Sequence, residues 1–254
     1  MLHHFNFNGH DSREFDCYIT TKTVFNQPKK KIDFISIPGR NGDVIIDSGR
    51  YSNTQIKLGL RQFSKKITDD FSLDFGYNLK RLTDWLSQGQ NYYAYSDSYD
   101  PEYYRQVCIT SVNVNQRRKD VADITLEMNA KPLKYKISGD TAITISEART
   151  SNNPFVNREN MESRPYYKLY MASGHSNETV TLTVNGRAYN IDHVTGYVEI
   201  DCDLMNVYKS TTNKNKDYRP DQDGNFPLLQ VGDNLISFSN NISYIEIKPR
   251  WCSV

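Results

Sequence analysis

One stretch of this chain repeats its apolar residues at helical spacing, and nearly everything around it alternates. Phe75, Leu79, Leu82, Trp85 and Leu86 fall at i, i+4, i+7, i+10 and i+11, while Lys80, Arg81 and Asp84 lie off that line. Such spacing builds one apolar helix face. Elsewhere the pattern is that of strands. Phe15, Cys17 and Ile19 alternate, as do Ile32 and Phe34 and, after a step, Ile37; Ile56, Leu58 and Leu60 alternate with Lys57, Gly59 and Arg61. A lone amphipathic helix among strands buries its apolar face on a sheet. The expectation is a mainly β chain with one or two helices. Ser72 and Asp74 are N-cap candidates, Gly89 closes the helix, and Trp85 reads as a packing residue.

Turn residues punctuate the strands. The run Ile35-Ser36-Ile37 stops at Pro38-Gly39, and Asn41-Gly42 supplies a pair that tolerates positive φ at both centres of a tight turn before Val44-Ile45-Ile46 leaves it. After the helix come six tyrosines between Tyr92 and Tyr104, broken by Asp97-Ser98 and Asp100-Pro101. They read as two short strands that pack on the helix and on a neighbouring subunit. Val107 to Val114 and Asp123 to Met128 then form a long hairpin around the basic tip Arg117-Arg118-Lys119. A first domain, residues 1–133, of β-sandwich or α+β type, ends near Ala130-Lys131-Pro132-Leu133. The second, residues 134–254, is an all-β sandwich that begins with a polar connection, Arg149 to Arg164. Its clearest hairpin is Thr179 to Val184, Asn185-Gly186, then Arg187 to Ile191. Strands are also expected at Tyr166–Met171, Tyr197–Asp201, Met205–Tyr208, Leu235–Phe238 and Tyr244–Lys248, with a long polar loop from Lys209 to Phe226.

Composition narrows the function classes. With 31 basic and 30 acidic residues the net charge is +1, without the basic excess of a general nucleic-acid binder. The 18 tyrosines suit strands and interfaces alike. Cys17, Cys108, Cys202 and Cys252 are scattered, without C-x-x-C or histidine pairing, and read as free thiols made in a reducing cytosol. The N-terminus has no signal-peptide pattern, and no apolar run is long enough to span a membrane. His3, His4 and His10 lack a completing metal ligand. Gly174-His175-Ser176 opens like a nucleophile elbow, but Asn177-Glu178 denies it the closing glycine. Asp221 to Asn225 resembles part of a calcium loop without the distant glutamate. Gly39 to Gly42 lacks the G-K-[ST] of a phosphate loop. The acidic residues nominate no catalytic pair. The sequence therefore nominates no catalytic residue, cofactor site or metal site, and the expectation is a non-enzyme.

Several segments, in order, carry a resemblance. They are Phe7-Asn8-Gly9-His10-Asp11-Ser12, Ile37-Pro38-Gly39-Arg40-Asn41-Gly42-Asp43, Leu82-Thr83-Asp84-Trp85-Leu86, Tyr95 to Tyr104, Gly232-Asp233-Asn234, and Ile245 to Trp251. Together the chain resembles the distal tail protein family of long-tailed, non-contractile bacteriophages. The resemblance implies a structural virion protein at the distal end of the tail, assembled in the host cytoplasm. Its N-terminal domain would form a homo-hexameric ring through which DNA passes without specific recognition. Its second domain would be a galectin-like or carbohydrate-binding-module-like sandwich that projects outward. Partners would be the tail tube protein, a tail-tip or tail-associated protein, and receptor-binding or other baseplate proteins. Gly39, Arg40, Asn41 and Gly42, with Arg117, Arg118 and Lys119, are the candidate ring contacts, Arg40 through an ion pair or carbonyl clamp. The competing reading is a carbohydrate-binding module that adheres to cell-wall glycans and stacks sugar on Tyr197 or Trp251. A tail-associated hydrolase is a further one, with no motif to nominate a site.

Overall fold

The computed structural model describes residues 2–22, 27–63, 71–88, 91–116, 118, 120–220 and 225–254. The chain divides into two compact units between Lys134 and Tyr135, with Val254 belonging to the first. Among the described residues it is mainly strand with one α-helix and three short 3-10 turns.

The first unit contains β1 (Phe5–Phe7), β2 (His10–Asp11), β3 (Cys17–Lys22), β4 (Lys30–Ile35), β5 (Val44–Tyr51), β6 (Thr54–Phe63), helix α1 (Phe71–Leu86), β7 (Tyr93–Asp97), β8 (Tyr103–Gln116) and most of β9 (Val121–Lys136). One sheet runs in the order β2-β1-β7-β8-β9-β6-β3. Its centre is the antiparallel pairing of β6 with β9, in register from Thr54 opposite Ala130 to Phe63 opposite Val121. Leu58, Leu60, Ile124, Leu126 and Met128 alternate inward from these two strands and are buried. The helix covers part of the sheet, as its apolar face requires. Trp85 stacks on Phe15 at 4.8 Å and on Phe5 at 5.6 Å, and its ring N–H donates to the Phe7 carbonyl at 3.2 Å. That bond satisfies the one polar atom the indole buries. Ser72 and Asp74 do not precede the helix as caps: α1 already begins at Phe71, so both positions lie within it. Gly89 lies outside the described residues.

The second unit is a sandwich. It contains β10 (Ile143–Ile145), β11 (Phe155–Asn157), β12 (Tyr166–Met171), β13 (Glu178–Val184), β14 (Arg187–Val194), β15 (Tyr197–Asp201), β16 (Asn206–Lys209), β17 (Thr212–Asn213), β18 (Tyr218–Pro220), β19 (Gly232–Asn234), β20 (Ile236–Phe238), β21 (Ile242–Lys248) and β22 (Cys252–Ser253). One sheet is ordered β10-β21-β12-β15-β16-β17, the other β18-β14-β13-β20, and β11 pairs separately with β19. Tyr167, Leu169, Val198, Ile200, Ile245 and Ile247 of the first sheet meet Val180, Leu182, Val184, Tyr189 and Ile191 of the second in one core. At the β13–β14 turn Asn185 and Gly186 take φ of 51° and 80°, so the pair occupies the left-handed region that a tight hairpin turn of this twist requires.

Two expectations need correction here. Arg149 to Arg164 is not a plain connection. Arg149 and Ile236 exchange backbone hydrogen bonds, as do Ser163 and Leu229, and β11 lies between these tie points. Its Asn157 side chain is buried but satisfied, donating to the Met161 carbonyl at 3.0 Å and accepting from the Glu159 N–H at 3.0 Å. Likewise, Lys209 to Phe226 is in part built, from β17, a 3-10 turn and β18; the calcium-like residues Asp221 to Gly224 lie outside the described residues.

Candidate assembly interface

Strands β4 and β5 form a two-stranded antiparallel sheet of their own. Ile35 faces Val44, Phe34 faces Ile45, Asp33 faces Ile46 and Ile32 faces Asp47, with a register shift between Lys30 and Ile32. Neighbouring residues of a strand point to opposite sides. Ile32, Phe34 and Ile45 therefore share one face, and Ile35, Val44 and Ile46 share the other. Both faces are largely apolar, with Asp47 on the first and Asp33 on the second, and both are open. Phe34 is 64% exposed, Ile45 62%, Ile35 47%, Ile46 47%, and Ile37 in the loop 42%. The root is held by polar contacts: an ion pair of Lys30 with Asp47, the Ser48 hydroxyl donating to the Lys31 carbonyl at 2.7 Å, and Ser52 N–H donating to Lys29 at 2.8 Å. The hydrogen bond from Lys30, helped by the Gly49 N–H, holds the Asp47 carboxyl below its usual range, and the same bond raises Lys30.

The tip carries the sequence-nominated residues. The register Ile35 opposite Val44 leaves residues 36–43 as the loop, too many for a two-residue turn. Gly39 and Gly42 have φ of 82° and 85°, whereas Asn41 is not among the positive-φ residues. The expected Asn-Gly turn with both residues left-handed is therefore corrected. The chain first turns at Pro38-Gly39, where Arg40 N–H donates to the Ile37 carbonyl at 3.1 Å, and that turn spends the geometry which Asn41 would have supplied. Gly39, Arg40, Asn41 and Gly42 are all exposed. Among the described residues no carboxylate pairs with Arg40. At the other nominated tip Arg118 is exposed and its N–H donates to the Val121 carbonyl at 3.2 Å; Arg117 and Lys119 lie outside the described residues. The sequence named the loop, yet the larger feature is the two apolar faces below it. The signal was present in the unbroken run Val44-Ile45-Ile46, since a strand that is apolar on consecutive positions is one covered on both sides.

Among the described residues no three His, Cys, Asp or Glu side chains gather to hold a metal ion, and no helix is long and apolar enough to cross a membrane. His175 pairs with Glu178 at 3.0 Å in an exposed turn. Tyr197 has the ammonium groups of Lys168 and Lys209 over its ring at 4.4 and 5.3 Å, so its π-system is already engaged by cations. Trp251 packs on Phe155 at 5.4 Å against the core.

Fold and site together define a class: a β-rich, two-unit chain whose first unit is a helix-backed sheet with a long exposed hairpin, and whose second is a β-sandwich. A solved structure shares that fold almost end to end, the SPP1 Dit (gp 19.1) protein, described as a paradigm of the hub adsorption apparatus in phages that infect Gram-positive hosts. The match has a TM-score of 0.72 at 12% sequence identity and covers 97% of this chain and 98% of that one. No protein-family model matches the sequence, and no curated protein matches it.

Proposed function

We propose that this protein is a distal tail protein, a structural hub in the virion of a long-tailed bacteriophage. The observation that carries this reading is the extent of the fold match, which takes in both units of the chain rather than one common module. A sandwich alone would say little about function, because such folds serve many roles. In this reading residues 1–133 close into a homo-hexameric ring at the distal end of the tail. One face of the ring meets the tail tube protein and the other the tail-tip protein. Residues 134–254, a galectin-like sandwich, dock receptor-binding or other baseplate proteins. The role is assembly rather than catalysis.

The hairpin supports ring closure. Ring contacts are head-to-tail, so each subunit must present one surface that a different surface of its neighbour covers. An apolar ribbon open on both faces is suited to that use. Its tip residues, Gly39 to Gly42, and the Arg117–Lys119 tip meet the adjacent subunit. The test is mass in solution by light scattering across a concentration series, followed by negative-stain imaging of the largest species. A six-fold ring with a central hole is expected. A different closed symmetry, or a two-fold dimer, would overturn the hexameric reading.

A further inference from the structure

The first unit also holds a cavity of about 390 Å³, at the lower end of the range that binds small ligands. Tyr95, Tyr99, Tyr103 and Tyr104 are among its walls, and three cations reach it: Lys22, Arg105 and Lys134. Two of the three are matched by carboxylates in the same wall. Lys22 meets Asp97 at 2.7 Å, and Asp97 also accepts from the Tyr95 hydroxyl at 2.6 Å and the Tyr99 N–H at 3.0 Å. Lys134 meets Asp100 at 3.0 Å and lies 4.2 Å from the centre of the Tyr103 ring. Arg105 is different. It stands on β8 and donates one guanidinium N–H to the Pro132 carbonyl at 2.8 Å. Among the described residues no carboxylate side chain lies within ion-pair distance of it. Burial pushes its pKa down from the ordinary value, only partly offset by the more distant Asp100.

A half-buried guanidinium that makes no direct ion pair and gives one N–H to a backbone carbonyl keeps donors for a ligand. Its planar fork matches carboxylate and phosphate oxygens in pairs. We propose that this cavity is a binding site for a small oxyanion ligand, a molecule bearing a carboxylate or phosphate group, with Arg105 taking the charged end and the tyrosine walls holding the body. The spare N–H groups of Lys22 and Lys134 add donors around the same space. The site is independent of the ring reading, since it rests on the first unit alone.

Calorimetry on the full chain, with glutarate and inorganic phosphate titrated separately at fixed ionic strength, tests it. At least one of the two binds, and the one that binds assigns the oxyanion as carboxylate or phosphate. Arg105→Gln weakens that binding at least tenfold, and Arg105→Lys, which keeps the charge without the fork, weakens it less. In the wild type, amide NMR shifts on titration concentrate at Tyr95, Tyr103 and Arg105, a readout that holds even where a variant fails to fold. Absence of binding by both probes at millimolar concentration, shifts centred elsewhere, or full affinity in a folded Arg105→Gln protein would each overturn the proposal.

Discussion

The double substitution Phe34→Thr with Ile45→Thr tests the assembly role of the β4–β5 ribbon most directly. The two residues face each other across the ribbon and are 64% and 62% exposed in the single chain. Fully burying such a side chain is worth about 1.5–3 kcal/mol, so the three-fifths still open here leaves roughly 1–2 kcal/mol each for a neighbour to capture. Losing both costs roughly 2–4 kcal/mol per contact, or about 30- to 1,000-fold in the association constant of one interface. A closed ring repeats the loss at every contact. Threonine keeps the branched Cβ that suits a strand. Because both positions are already largely in solvent, folding should barely change, with the melting temperature held within about 2 °C. Sedimentation velocity across a concentration series reads the outcome: wild type associates, and the variant stays a monomer well above the wild-type midpoint. A folded variant that assembles like wild type would refute the reasoning, as would a wild type that remains monomeric at the highest concentration.

Other substitutions probe what holds each unit. Trp85→Phe keeps an aromatic against Phe5 and Phe15 but leaves the Phe7 carbonyl without its donor, so urea denaturation should show a loss of about 1–3 kcal/mol, against about 3–5 for Trp85→Ala. In the second unit Arg250 forks onto Asp201 at 2.7 and 2.9 Å. Arg250→Ala strands a buried carboxylate and should cost about 3–5 kcal/mol in the same assay. Burial raises the Asp201 pKa, but the Arg250 hydrogen bonds and the N–H groups of Leu204 and Asp203 outweigh it, and the net direction is down. Its contribution is therefore present above the ordinary carboxylate range and lost as pH falls below about 4, so the stability difference between wild type and Arg250→Ala should shrink in acid. Burial pushes the thiols of Cys17 up to about 12 and Cys252 up to about 11, and raises Cys202 as well. With a thiol reagent at pH 8, half-buried Cys108 should react first, and the other three only on unfolding.

The parts of this fold legible in the sequence are those set by local rules. Tyr166–Met171 and Tyr197–Asp201 stand where the alternation put them. Asn185-Gly186 turns as the dipeptide requires, and Trp85 packs as its helical register requires. The failures are those where a local rule had a competitor. Asn41-Gly42 looked like Asn185-Gly186, but Pro38-Gly39 three residues earlier had already begun the turn. Arg149 to Arg164 looked like a linker because polar, turn-forming residues fill it, yet backbone groups satisfy Asn157 and let it be buried. The cavity around Arg105 was not legible at all. Arg105 comes to Pro132 and Lys134 only through strand pairing, and no short motif records that.

The run Val44-Ile45-Ile46 is apolar on consecutive positions. Local pattern can say that a strand apolar on consecutive positions is covered on both faces, but not by which chain. Both faces are open, and among the described residues the ribbon has its ladder, its Lys30–Asp47 root and little else. Two-stranded ribbons on their own are marginal in water. Its opening free energy in the monomer should therefore lie near the bottom of the range, about 0–2 kcal/mol, while the β6–β9 centre exchanges only through global unfolding at about 5–15 kcal/mol. Amide hydrogen exchange followed by mass spectrometry separates the two. Peptides from Lys30–Tyr51 should exchange within the first time points in the monomer and become protected on assembly, while Thr54–Phe63 stays protected throughout. A ribbon already as protected as β6 in the monomer, and unchanged by assembly, would mean that its apolar faces need no neighbour.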